Sequence, residues 1–164
     1  MQLTYYPEIK KEATLPFCVT GVGINDNQLS LPSDTERLFL VTDGCARINI
    51  NGQTIELLKG CACWISPRAH AVIESQVNGV KFNWLTADGI SSVSSSLFVS
   101  EDHAVFDTAD LSASAALFRG IYEALSTDRS YGGFTASAIL YQLIIKLNRD
   151  AASIPERKCK ADRR

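Results

Sequence analysis

The hydrophobic period of this chain changes once, near Asp110, and that change constrains the fold more than any other feature. Between residues 14 and about 100, apolar residues come in short runs bounded by turn formers, the pattern of strands. Phe17 to Val22 is one run, ended by Gly23 and the Asn25-Asp26-Asn27 cluster. Arg37 to Thr42 follows and stops at Asp43-Gly44. Ala46, Ile48 and Ile50 alternate with Arg47 and Asn49, the period-two mark of a half-buried strand. Asn51-Gly52 then predicts a tight hairpin, because both central residues of that turn need a positive φ, and Gln53 to Leu58 is the return strand. Cys61 to Ile65, Ala71 to Ser75 and Val80 to Thr86 add three strands, set apart by Lys59-Gly60, Ser66-Pro67 and Asn78-Gly79. Phe98 to Ser100 and His103 to Phe106 are shorter candidates. Many short strands at this spacing predict an antiparallel sandwich or barrel.

Beyond Asp110 the period is helical. Leu117, Ile121 and Leu125 recur at four-residue steps within Leu111 to Ser126, with Phe118 and Tyr122 beside them. Asp110 or Ser112 suits the N-cap. Thr127 to Gly133, containing Tyr131-Gly132-Gly133, predicts a break, and a second helix runs from about Thr135 to Asp150. Leu140, Leu143, Ile144 and Leu147 form one face of it, and Ile139 and Ile145 widen that face. A helix apolar over so much of its girth is expected to be buried on two sides. The reading that follows is a homodimer through Ile139, Leu140, Leu143, Ile144 and Leu147; packing of the whole helix within one chain is the alternative. The fold class is α+β with segregated elements: an antiparallel β-barrel with an N-terminal arm over residues 1–110, an antiparallel helical hairpin over 111–150, and a linker or tail over 151–164.

Bulk properties narrow the function. Of the 164 residues, 46% are hydrophobic and 21% charged, enough apolar material for a core. The net charge of -2 argues against a surface that grips nucleic acid by itself. The basic run Arg157 to Arg164 reads as a solvated tail. Five cysteines, Cys18, Cys45, Cys61, Cys63 and Cys159, are odd in number and irregular in spacing, which suits reduced thiols in a cytoplasmic protein. Cys61 and Cys63 share a strand face, but two thiols are too few for a metal site. The N-terminus lacks the basic and apolar regions of a signal peptide. No apolar run approaches the ~20 residues of a membrane span, so no membrane partner is expected.

Catalytic chemistry needs ionisable groups placed together, and His70 and His103 share no tight motif. The chain has no glycine-rich phosphate loop, nucleophile elbow or Cys-x-x-Cys. A metal-dependent β-barrel would need His and Glu clustered on neighbouring inward positions. The matching strand here is Glu36-Arg37-Leu38-Phe39-Leu40-Val41. An inward arginine repels a divalent cation and attracts a polar or anionic ligand. A protein without metal, cofactor or enzymatic activity is therefore expected. His70 opens a strand after Pro67-Arg68-Ala69, a position that suits either a rim histidine bonded to backbone or a ligand contact. Trp64 and Trp84 suit either the core or a flat wall for a sugar or planar ligand. Strand parity puts Phe82 with Trp84, His70 with Val72, and Arg37 with Phe39 and Val41. If those faces point inward, Arg37, His70 and Trp84 are the polar and aromatic anchors of an otherwise apolar pocket.

The order of these segments resembles a known family. Leu38-Phe39-Leu40-Val41-Thr42-Asp43-Gly44, Asn51-Gly52, Leu58-Lys59-Gly60, Trp64-Ile65-Ser66-Pro67 and His70 follow one another as in the N-terminal sensing domains of AraC-type transcription regulators, which are cupin barrels (jelly rolls). Phe82-Asn83-Trp84-Leu85 sits where those domains carry an aromatic strand. Ile139 to Lys146 is similar to their leucine-rich dimerisation helix. The resemblance covers roughly residues 14 to 150. It implies a barrel that binds a small-molecule effector, often a sugar or related metabolite, and a hairpin that pairs two subunits. DNA would be bound only by a helix-turn-helix domain outside these residues. It further implies Val72, Phe82 and Trp84 as effector contacts and His70 as the rim histidine, with Arg37 where metal cupins place a glutamate. A stand-alone cupin binding protein, or a cupin enzyme such as an isomerase or dioxygenase, is the competing expectation.

Overall fold

Alternation of side chains, once paired across strands, decides everything about the layers. The computed structural model describes residues 1–7, 18–29, 32–76, 79–89 and 102–153. Nine strands are described: β1 (Leu3–Tyr5), β2 (Cys18–Asp26), β3 (Glu36–Asp43), β4 (Cys45–Ile50), β5 (Gln53–Leu58), β6 (Cys61–Ile65), β7 (Ala71–Gln76), β8 (Lys81–Asp88) and β9 (His103–Asp107). Two helices follow, α1 (Leu111–Thr127) and α2 (Gly132–Ser153). A six-stranded sheet has the order β1-β2-β8-β3-β6-β9 and a three-stranded sheet the order β5-β4-β7, every pair antiparallel. The candidate strand Phe98 to Ser100 lies outside the described residues.

The predicted hairpin forms at β4–β5, with Asn51 at φ 50° and Gly52 at φ 85°. Barrel closure is not seen: among the described residues the two sheets share no ladder. The turn after β5 sends the chain back to the larger sheet, where the Gly60 N–H donates to the Val41 carbonyl at 2.9 Å. The β region is thus two stacked sheets. β1, which carries no turn signal and was not expected as a strand, pairs with β2 at the edge of the larger sheet.

The six-stranded sheet is the wall between two cores. One face carries Val22, Ile24, Leu38, Leu40, Trp64, Leu85 and Phe106 against both helices. The other carries Phe39, Val41, Cys63, Ile65, Phe82 and Trp84 against Ile48, Ile50, Ile55 and Leu57 of the smaller sheet. The helices therefore pack on the outside of the sandwich.

Asp110 caps α1, its carboxylate accepting from the Ala113 N–H at 3.0 Å. The predicted break is shorter than Thr127 to Gly133, because α2 already starts at Gly132. Asp128 holds the turn by accepting from the Ser130 and Tyr131 N–H groups, both at 3.0 Å. A Cβ on Gly132 would lie 2.2 Å from the Ala124 carbonyl oxygen, so this glycine permits close helix approach rather than breaking the helix.

The expected dimer face needs correction. Leu140, Leu143, Ile144 and Leu147 are fully buried within their own chain, packed with Phe118, Ile121 and Leu125 of α1 and with the sheet. Ile139 is half-buried against α1 beside Gly120. The packing alternative accounts for these positions. Among the described residues, the large apolar side chains that α2 leaves outside are Phe134 and Tyr141, with Ile145 half-buried.

The far end of α2 is tied back to the sandwich. One oxygen of Asp150 accepts from Thr108 Oγ1 at 2.9 Å, the Ala109 N–H at 3.1 Å and Lys146 Nζ at 2.8 Å. Thr108 in turn donates its N–H to the Gly60 carbonyl at 3.0 Å. Burial would raise the Asp150 carboxyl, but these hydrogen bonds and the Lys146 charge outweigh it and hold it below its ordinary value.

Candidate functional site

The inner face of the six-stranded sheet reads in rows across the strands. One row runs Gly21, Thr86, Arg37, Ile65, His103 and the next Gly23, Trp84, Phe39, Cys63, Val105. Asp26, Phe82 and Val41 begin a third. The strand parities read from the sequence for Arg37, Phe39, Val41, Phe82 and Trp84 place all five on this one face.

Arg37 is 3% exposed. Its Nη2 donates to the Ser66 carbonyl at 2.5 Å and the Ala69 carbonyl at 2.9 Å, which staples the β6–β7 loop to β3. Its Nε has no partner, and no acidic side chain among the described residues pairs with it. Burial lowers its pKa, with Cys63 and Asp34 acting in the opposite sense. The Cys63 thiol, wholly enclosed, is pushed up to about 12 by burial, against the pull of Arg37. A guanidinium held by two carbonyls with an N–H to spare suits a polar or anionic atom beside it.

Trp84 lies over Gly23: a Cβ there would meet the indole Nε1 at 2.2 Å, so only glycine leaves room for the ring. Its Nε1–H donates to Asp26 Oδ2 at 3.0 Å. Tyr6 covers the same corner, its ring centroid 6.0 Å from that of Trp84 at 44°. Thr20 and Thr86 join hydroxyls nearby at 2.8 Å. Two aromatic rings, a carboxylate and two hydroxyls thus meet over the Gly21 and Gly23 backbone at this corner.

Three expected site residues are placed elsewhere. Trp64 points to the helices, not the sandwich interior. Cys61 to Ile65 is buried on both faces, so its alternation carried no inside-outside signal. His70 and Val72 are exposed, Val72 at 49%, while Ala71 and Ile73 turn inward. Glu74, sharing the Val72 face and needing water, was the available signal. His70 is joined through its backbone to Asn51, whose Oδ1 accepts its N–H and whose N–H donates to its carbonyl, both at 2.9 Å. Asp26, Gly21, Gly23, Tyr6 and Thr86 were not anticipated, because Asn25-Asp26-Asn27 reads as a turn.

Cys18, Cys45 and Cys63 are free thiols. Among the described residues no three His, Cys, Asp or Glu side chains cluster as metal ligands, and no helix is long and apolar enough to cross a membrane.

No family model matches this sequence, and no curated protein does. Solved structures do match. The AraC-like transcriptional activator CuxR superimposes with a TM-score of 0.52 at 12% identity, over 98% of this chain and 65% of CuxR. Apo ToxT K231A from Vibrio cholerae superimposes with a TM-score of 0.51 at 12% identity, over 94% of this chain and 58% of ToxT. The fold of this chain is shared with the matched parts of these two proteins. This chain spans less than two thirds of either regulator. In this shared fold, the corner lies on the sheet face opposite the helices.

Proposed function

We propose that this chain is the effector-sensing domain of an AraC-type transcription regulator, a cupin-type jelly roll that binds a small polar metabolite and does no chemistry on it. The observation that carries this reading is the likeness to CuxR over 98% of the chain. The site is the inner face of the larger sheet, with Arg37, Thr86 and Trp84 as polar and aromatic anchors and Phe39, Val41 and Phe82 as apolar walls. Arg37 favours a sugar acid or a sugar over an apolar ligand, because its free Nε–H needs an acceptor. No metal or cofactor enters this reading. DNA contact belongs to a helix-turn-helix domain outside these residues, and the working compartment is the cytoplasm. Two copies pair through the outer face of α2, using Phe134, Tyr141 and Ile145.

A thermal-shift screen of sugars and sugar acids tests the reading, since a ligand at 100 times its Kd adds about 2.7 kcal/mol of stability. A hit whose shift disappears in Trp84→Ala is the expected result. A shift that survives in full in that variant places the site elsewhere. Stoichiometric iron, zinc or manganese in the purified protein would favour a cupin enzyme instead.

A further inference from the structure

We infer that Asp26 is the positioning residue of this site, setting the indole of Trp84 and tying its placement to the docked N-terminal strand. The inference rests on the site reading above, in which Trp84 touches the ligand and Asp26 acts through it.

The local backbone is built to aim this carboxylate. Between Gly23 and Asp26, β2 carries two residues, Ile24 and Asn25, opposite the single Asn83 of β8. Asn25 takes φ 53°, in the left-handed region that side chains other than glycine seldom enter. The irregularity is held by the Asn25 N–H, which donates to Oδ1 of the buried Asn83 at 3.1 Å. Simple alternation from Gly21 and Gly23 would turn residue 25 inward and send Asp26 into the helix-facing core, which is apolar here. The extra residue reverses that parity, the way a bulge re-aims a side chain beside a site.

The aimed carboxylate is then fully employed. Asp26 is 7% exposed, and burial of such a group is tolerated only when its lone pairs are filled. Oδ2 accepts from Trp84 Nε1 at 3.0 Å. Oδ1 accepts from Gln2 Nε2 and from the Gln28 N–H, both at 3.0 Å. The three donors come from β8, from the residue before β1, and from the β2–β3 connection, so one side chain joins three segments distant in sequence. Trp84 has no other hydrogen-bonding atom, and its ring rests between the Gly23 backbone and the Tyr6 ring. Its orientation therefore depends on Asp26, and Asp26 shares its acceptors with the N-terminal strand.

The test uses the 164-residue chain with Trp64→Phe, which leaves Trp84 as the sole tryptophan. Emission maximum and acrylamide quenching of Trp84 are compared in Asp26→Ala, Asp26→Asn and Gln2→Ala, with far-UV circular dichroism as the check on folding. Asp26→Ala is expected to move emission to the red and quicken quenching while the circular dichroism is kept. Asp26→Asn, which preserves volume, and Gln2→Ala should move both in the same direction by less. Unchanged emission and quenching in Asp26→Asn and Gln2→Ala overturn the proposal, as does a shift in Asp26→Ala that comes only with loss of the fold. No effector enters this measurement. A failed ligand screen would thus remove the sensing function and leave the positioning role standing, and the reverse also holds.

Discussion

Trp64 and Trp84 project from opposite faces of one sheet, Trp64 from β6 toward the helices and Trp84 from β8 toward the smaller sheet. Their substitutions should separate accordingly. Trp64→Ala empties part of the helix-facing core and is expected to cost about 3–5 kcal/mol in urea unfolding. Its site-facing surface should be untouched, so any ligand shift found with the parent chain should persist.

Gly23 and Gly133 make a second contrast. Gly23→Ala drives a methyl into the Trp84 ring, so a loss of about 1–3 kcal/mol is expected. Gly133 lies in α2 with nothing within 4 Å of its missing Cβ. Gly133→Ala should stabilise by about 0.4–1 kcal/mol, through a less flexible unfolded chain. Thermal unfolding of the two variants reads both signs.

Asp150 predicts a pH dependence. Its folded pKa is lowered, so its contribution to stability is present above the unfolded value of 3.8 and disappears as pH falls through the lower folded value. Asp150→Asn should therefore be less stable than the parent at neutral pH, and the two should converge below the ordinary carboxylate range. Urea midpoints measured across that range check it; a gap that stays constant with pH would refute the assignment.

The two faces of α2 predict opposite phenotypes. Leu143→Ala opens the internal core and should cost about 2–5 kcal/mol. Phe134→Glu with Tyr141→Glu should leave stability nearly unchanged and abolish association in sedimentation velocity. Association that survives the double variant would place pairing on another surface.

The sequence made the strands legible wherever one face met water. Arg47 and Asn49 between Ala46, Ile48 and Ile50 marked β4, and the Asn51-Gly52 turn followed with both φ angles positive. Parity also grouped Arg37 with Phe39 and Val41, and Phe82 with Trp84; that the two sets share one face comes from the β3–β8 register. It failed where both faces are apolar, as in Cys61 to Ile65, since nothing in such a run says which side meets the helices. It failed again at β2, expected to end at Val22 but continuing to Asp26, because an inserted residue looks like a turn until its partner strand is known. The excess of apolar residues on α2 was real, but a helix packed on both a helix and a sheet needs them for itself.

Because the larger sheet separates two cores, each of its strands carries two independent texts in alternating letters. Residues 37, 39 and 41 face one core and 38 and 40 the other. Point changes in one set leave the other layer's packing in place. Chains with this architecture can diverge in what they bind while keeping how their helices pack, and two such domains can share a fold at low identity without sharing a ligand.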